Sequence, residues 1–420
     1  MTVSTSSNET QNIAILADSL ARWTGGIDFL RFCLGALNSV SPNTTWSVLI
    51  PSRSVQKTVV MLGKRGLKML AGMKSSPLPS IPRNDLIDAL TISGANIEVI
   101  DYQDTMSGLI SAMRRCRAEV LLPCPISLGS SFPLPWIGYI PDLQHKRLAH
   151  WFGKRDSRGR DRIFSRLLAE ASVVIVNSRA VIRDIEEFYP HHKARLFALP
   201  FCPPKGAPDF SEKSFLEIRA AYNLPARYFL ISNQFWIHKD HKTAFMALLR
   251  LRNAGHDVHL VCTGNTFDSR WPQHFNELKE VIEMHGLRDC IRILGLVPKA
   301  DQLAIMRESV AVIQPTLFEG GPGGGAVYDA VSTGTPCIVS DIPVNREIDM
   351  GDVRFFAAGS AEDLAEKMLE VLIHPPRRLS RTENDVRLAA RQRELGGLLL
   401  DIVNIAAGLN PVGRNPAALV

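Results

Sequence analysis

The stretch VAVIQPTLFEGGPGGGAVYDAVSTGTPCIVSD, residues 310–341, decides how the chain is read. It opens with a β-branched apolar run, VAVIQPT (310–316), and closes with another, TPCIVS (335–340). Between them lie a turn, glycines 320, 321, 323, 324 and 325, and a segment expected to be helical from near Gly325. Glycines remove side chains, so backbone N–H groups can come close to an oxyanion, and a helix N-terminus adds a favourable dipole. The arrangement predicts a phosphate cradle involving Gly323, Gly324 and Gly325. Glu319 precedes the cradle and Asp329 lies one helical turn in. A carboxylate there repels phosphate, so each makes sense as a ligand for hydroxyls of a sugar or ribose. A flexible surface loop is the competing reading, and the flanking buried strands count against it.

Working outward, apolar runs of this kind recur along the chain. They fall at 12–18, 46–50, 96–100, 119–123, 136–140 and 172–178, and then at 227–232, 257–264, 290–295, 310–316 and 335–340. Most are continuous rather than alternating, as in strands buried on both faces of a parallel sheet. Helix-period segments lie between them, for example 241–253, 272–284 and 361–373, the last opened by Ser360 with Asp363 three residues on. The β-α-β alternation predicts an α/β chain of two doubly wound, Rossmann-like domains. The break is LPFCPPKGAPDF (199–210), where four prolines and a glycine cannot continue a helix or a central strand. Expected boundaries are a first domain over 1–200, a linker over 201–212, a second domain over 213–375, and C-terminal helices over 376–420 that can cross back to the first domain.

Three further segments matter. SNQFWIHKDHKTAFMALLRL (232–251) reads as a strand end, a loop with Gln234 and Lys239, and a helix with Asp240 as N-cap. ILADSLARWTGGIDFLRFCLGAL (15–37) places Gly25 and Gly26 between the first strand and an apolar-periodic helix. YIPDLQHKRLAHWF (139–152) follows a strand and carries Asp142 and His145, which a solvated surface turn would explain equally well.

In order and content these segments resemble the retaining glycosyltransferases of family four, which have the GT-B fold. The match rests on Pro315, Glu319-Gly320, Asp329-Ala330, Gly334 and Pro336, then Ser340-Asp341. Asn177-Ser178, Gly295, Pro343 and Glu347 agree as well, so it covers nearly the whole chain and is strongest over 290–347. The resemblance implies two Rossmann-like domains facing a cleft, with the donor on the second and the acceptor on the first. It implies that Glu319 contacts the donor sugar, Asp329 the ribose hydroxyls, Lys239 the donor diphosphate, and Gly25-Gly26 the same diphosphate from the first domain. Asp142 and His145 become candidates beside the reacting sugar. Three departures stand out: the second acid is Asp rather than Glu, nine residues rather than seven separate the acids, and Gln234 stands where the family has an arginine.

The implied reaction is retaining transfer of a hexose from a nucleoside-diphosphate sugar, GDP-mannose or a UDP-sugar, to a glycan or lipid-linked acceptor in polysaccharide or glycoconjugate synthesis. A catalytically weak nucleotide-sugar-binding partner subunit and a GT-B sugar-nucleotide epimerase are the alternatives. No Asp-x-Asp cluster that would hold Mg²⁺ beside a diphosphate is present, so no metal or other cofactor is expected. The net charge of +6 is concentrated early, the first 170 residues having an excess of seven cations. Residues 51–74 hold six basic residues and no acid, and 146–166 are also strongly basic. These read as solvated helix faces or as surfaces for an anionic membrane. Nucleic acid fits less well, because aromatics are not interleaved with the charge. Seven scattered cysteines without a Cys-x-x-Cys pair, and a polar first dozen residues, read as a cytoplasmic chain, peripheral to a membrane at most.

Overall fold

The structure, a computed structural model, describes residues 12–17, 20, 24–52, 86–88, 90, 95–200, 202–203 and 213–409. The basic stretch at 53–74 and most of the expected linker lie outside these residues. The chain forms two compact units, one of residues 1–201 with 390–420 and one of residues 202–389.

The first unit is built on a parallel sheet of β1 (Asn12–Leu16), β2 (Thr45–Ser52), β3 (Asn96–Gln103), β4 (Val120–Cys124), β5 (Trp136–Ile140), β6 (Val173–Val176) and β7 (Arg195–Ala198). Their spatial order is β3-β2-β1-β4-β5-β6-β7. Helices α1 (Thr24–Val40), α2 (Met106–Arg115), α3 (Gln144–Arg147), α4 (Lys154–Glu170) and α5 (Arg179–Phe188) accompany it. Central strands such as VLLPC and VVIV are buried at every position, while β3 at the rim keeps Asn96, Glu98 and Gln103 exposed. Polar side chains on that outer strand discourage pairing with another sheet. Leu121, Ile140, Phe164, Leu167 and Val174 form the centre of the core.

The second unit has β8 (Tyr228–Ser232), β9 (His259–Thr263), β10 (Ile291–Gly295), β11 (Val312–Gln314), β12 (Cys337–Ser340) and β13 (Val353–Phe356). They are parallel and ordered β10-β9-β8-β11-β12-β13. Helices α6 (Phe215–Ala221), α7 (His241–Asn253), α8 (His274–Met284), α9 (Lys299–Glu308), α10 (Gly324–Thr333) and α11 (Ala361–Ile373) connect and cover the sheet. Strand order reverses between β8 and β11, which is where doubly wound sheets hold ligands, beyond the carboxyl ends of the strands. The quoted stretch is β11, loop, α10 and β12, and so places the glycine loop at that point.

Every apolar run singled out in the sequence is a strand. Two strands had no such run: β7 (RLFA) and β13 (VRFF), each four residues at the outer rim of its sheet. Residues 378–408 contain one helix, α12 (Arg381–Ala406), whose first nine residues belong to the second unit and the rest to the first. Within the first unit α12 meets α1 so closely that a Cβ on Gly396 would lie 2.1 Å from the carbonyl oxygen of Ala36. The Ser360–Asp363 pair is half a capping box. Ser360 accepts from the Asp363 N–H, but the Asp363 carboxylate accepts from the N–H of Ala357 instead.

Candidate functional site

The site is assembled by two loops of the second unit. After β8 the chain turns through Asn233–Trp236 into a short 3-10 turn, Ile237–Lys239. Asp240, at φ +45°, then opens α7 by accepting from the Thr243 hydroxyl at 2.6 Å. After β11 the chain runs through Pro315 to Gly323. The backbone joins these loops: Leu317 N–H donates to the His238 carbonyl at 2.8 Å. The Ser340 hydroxyl, at the end of β12, donates to the Thr316 carbonyl at 2.5 Å.

This scaffold brings Lys239 and Glu319 together. The Lys239 ammonium donates to Glu319 Oε1, and the two side chains are only 9% and 10% exposed. Gln314 Nε2 donates to the same carboxylate oxygen at 2.8 Å and to the Gly323 carbonyl at 3.0 Å. Asn233 Nδ2 donates to Gln314 Oε1, and Gln314 is fully buried. A charge pair this dry persists only if its remaining polar atoms are satisfied, and Asn233 and Gln314 supply that.

The glycines have divided roles. Gly323 and Gly324 both have positive φ, +69° and +59°, at the start of α10. A Cβ on Gly324 would sit 2.6 Å from Glu319 Oε2, so this glycine makes room for the carboxylate. The Gly323 N–H donates to Asn345 Oδ1 at 3.0 Å, and the Gly324 N–H to the Gly321 carbonyl at 3.1 Å. Of the three amides expected to form the cradle, these two are engaged within the protein. A Cβ on Gly325 would meet nothing within 4 Å, so the approach to the helix N-terminus is open there.

Asp329 is buried beside the end of β8. Lys299 Nζ donates to both of its carboxylate oxygens at 2.6 Å, and Gln302 bridges from Asp329 (3.3 Å) to the Ser232 hydroxyl (2.5 Å). Both of its oxygens thus have partners within the protein. Gln234 does not stand in for an arginine: its Oε1 accepts from the Asn265 N–H at 2.8 Å and fixes the loop after β9.

In the first unit, Gly26 lies in the first turn of α1, where a Cβ would be 2.3 Å from the Leu20 carbonyl oxygen. Gly25 adjoins it, half-buried. Asp142 Oδ1 accepts from the Gln144 N–H at 2.9 Å and so starts α3. His145 is not on a solvated turn. The ring is buried edge-on to Phe164, centroids 5.5 Å apart, and its Nε2 faces Asp161 Oδ1 at 3.0 Å. Burial pulls its pKa below the usual histidine value, against the opposing pull of Asp161. These contacts hold the ring against α4.

Gln314, Asn345 and Lys299 escaped sequence reasoning. Gln314 had a signal, a polar residue inside an apolar strand run, since buried polar groups have partners. Lys299 looks in the sequence like any other lysine at the start of a helix.

Two doubly wound units, the second with a charged, glycine-lined loop cluster at its switch point, define an α/β protein of GT-B architecture. Residues 215–389, most of the second unit, match the family described as glycosyl transferases group 1. Solved structures of similar fold include Anabaena HepE in complex with UDP and glucose, at 12% identity over 95% of this chain and 98% of that one, TM-score 0.55. The sucrose-phosphate synthase of Thermosynechococcus elongatus is similar at 16% identity, over 95% and 97%, TM-score 0.56. A glycosyltransferase from Rickettsia africae is similar at 12% identity, over 95% and 99%, TM-score 0.59. At these identities the likeness is one of fold. No curated protein matches the sequence.

Proposed function

We propose that the chain is a retaining hexosyltransferase that uses a nucleoside-diphosphate sugar and delivers the sugar to a glycan or lipid-linked acceptor in polysaccharide or glycoconjugate synthesis. The observation that carries this reading is the Lys239–Glu319 pair beside the open N-terminus of α10. Charge builds on the departing diphosphate in such a transfer, and a cation with helix dipole aimed at it stabilises that charge. Lys239 takes the diphosphate, Gly325 presents the helix end, and Glu319 faces the sugar hydroxyls. Asp329 with Lys299 holds the ribose side. The UDP complex of Anabaena HepE favours a UDP-sugar over GDP-mannose. The enzyme works in the cytoplasm at an anionic membrane surface. Its seven cysteines are all buried and free, which suits a reducing compartment.

The test is incubation of the purified protein with UDP- and GDP-sugars while following release of the diphosphate and the anomer of the product. Slow release with retained configuration is expected. An inverted product would overturn the retaining assignment, and a C2-epimerised sugar nucleotide would make the protein an epimerase. A second reading, a partner subunit that binds donor without turning it over, is favoured by the engagement of Gln234 with Asn265 and of His145 with Asp161. Tight donor binding with no turnover would establish it.

We also propose that transfer needs no metal, because Lys239 and the helix end supply the positive charge. Among the described residues no group of three His, Cys, Asp or Glu side chains is placed to bind a metal ion. Activity should survive EDTA. Loss in EDTA with recovery on adding Mg²⁺ or Mn²⁺ would refute this.

A further inference from the structure

Helix α4 presents a one-signed face. Lys154, Arg155, Arg158, Arg162 and Arg166 are all exposed, and at 100° per residue they fall within an arc of roughly 120°. The other residues of that arc are Ser165 and Ala169, so it contains no acid. Phe164, Leu167 and Leu168 turn the opposite side of the helix into the core. Arg166 pairs with Glu170 on the flank, whereas Lys154, Arg155, Arg158 and Arg162 form no ion pair with a described residue. Cations just before the helix behave differently. Lys146 pairs with Asp161 at 2.7 Å, and Arg147 with both Asp184 and Glu187. Among the described residues the fold supplies counter-ions to these neighbours and, on this face, to Arg166 alone.

The position of α4 gives the face a direction. The helix carries the crossover from β5 to β6, so its N-terminal end stands at the carboxyl edge of the first unit's sheet, where doubly wound sheets hold ligands. From residue 154 to 166 the cations run about 18 Å along the helix. Four mutually repelling charges without counter-ions among the described residues, aligned on a convex rod, suit a broad negative surface rather than a single anion. Nucleic acid is disfavoured, since the arc has no aromatic side chain on which a base could stack. Without a large apolar residue in the arc, the helix can adsorb to lipid headgroups but not sink among acyl chains.

We propose that this face of α4 docks the first unit on the headgroups of an anionic bilayer, holding the carboxyl edge of its sheet toward a lipid-linked acceptor. The assignment rests on the membrane-surface reading given above and locates it on named residues. Its test is co-sedimentation with phosphatidylcholine vesicles, with and without phosphatidylglycerol, for the wild-type full chain and for an Arg155→Gln, Arg158→Gln, Arg162→Gln triple variant. All three side chains are exposed, and an unchanged melting curve and unchanged UDP- or GDP-sugar turnover in solution check that the variant is folded. Wild type should bind only the anionic vesicles and come off as salt rises. The triple variant should bind them roughly a hundredfold more weakly. Equal binding of wild type to both kinds of vesicle, or to neither, would overturn the membrane reading and this assignment with it. Salt-sensitive binding to anionic vesicles that the triple variant retains in full would leave the membrane reading standing and remove α4 from it.

Discussion

Lys239 and Glu319 lie 80 residues apart in sequence and meet with almost no water around them. Lys239→Ala removes the cation from the proposed diphosphate contact and leaves Glu319 with Gln314 alone. A charge-assisted hydrogen bond contributes about 1.5–3 kcal/mol, so affinity for the nucleoside diphosphate should fall roughly tenfold or more. Calorimetry with UDP and GDP measures it, and an unchanged affinity would move the diphosphate contact elsewhere. Glu319→Gln keeps the shape and an oxygen that can accept from Gln314. The fold should therefore persist while turnover falls by orders of magnitude, and near-normal turnover would take Glu319 out of the site. The positions of Lys239 and Glu319 in loops after apolar strand runs, and of Asp329 inside the following helix, were legible in the sequence. Their partners were not. Asn345 reaches Gly323 from 22 positions away and Lys299 reaches Asp329 from 30, and such pairings depend on which loops the strand order makes neighbours.

At the scale of elements, eleven of the strands could be read from the sequence because burial on both faces leaves a continuous apolar signature. The rim strands β7 and β13 break that signature with Arg195 and Arg354, which can stay partly in water because one side of each strand has no neighbour. The first turn of α10 offers a sharper separation of fold from function. Gly324→Ala meets the Glu319 carboxylate, and a residue with a Cβ at φ +59° costs about 1–2 kcal/mol before the clash is counted. Gly325→Ala meets nothing within 4 Å and replaces glycine in a helix, where alanine is favoured by roughly 0.5–1 kcal/mol. Thermal melts should therefore move in opposite directions, down for Gly324→Ala and up for Gly325→Ala. Donor binding should weaken in both, because a methyl group at Gly325 stands where the phosphate comes to the helix end. A Gly325→Ala protein that is stabilised and binds donor as well as wild type would mean that the open helix end is not the phosphate site.

For the whole molecule the buried histidines set a limit on acid tolerance. His241 is completely buried, stacked on Phe235 with ring centroids 4.2 Å apart, and neither ring nitrogen has a hydrogen-bond partner among the described residues. Burial, reinforced by His274 and Lys239 nearby, pushes its pKa down to about 3. His238 is depressed well below its usual value by burial and then by Lys239 and Arg270. His274 and His145 are lowered by burial too, with nearby carboxylates opposing the effect. All four groups take up protons more readily in the unfolded chain, whose histidines titrate near 6.5. Their contribution is therefore fully present above that pH and is lost as pH falls below it. At pH 5 the His241 share alone amounts to about 2 kcal/mol, a large part of the stability of an ordinary domain. Denaturant midpoints should accordingly fall from pH 7 to pH 5, more steeply than any change between pH 7 and pH 8. His241→Phe keeps an aromatic ring against Phe235 and cannot be protonated, so it should flatten that decline while binding donor normally at pH 7. If its midpoints fell as far as those of wild type, the acid sensitivity would lie with the other histidines, and His241 would be only a space-filling ring.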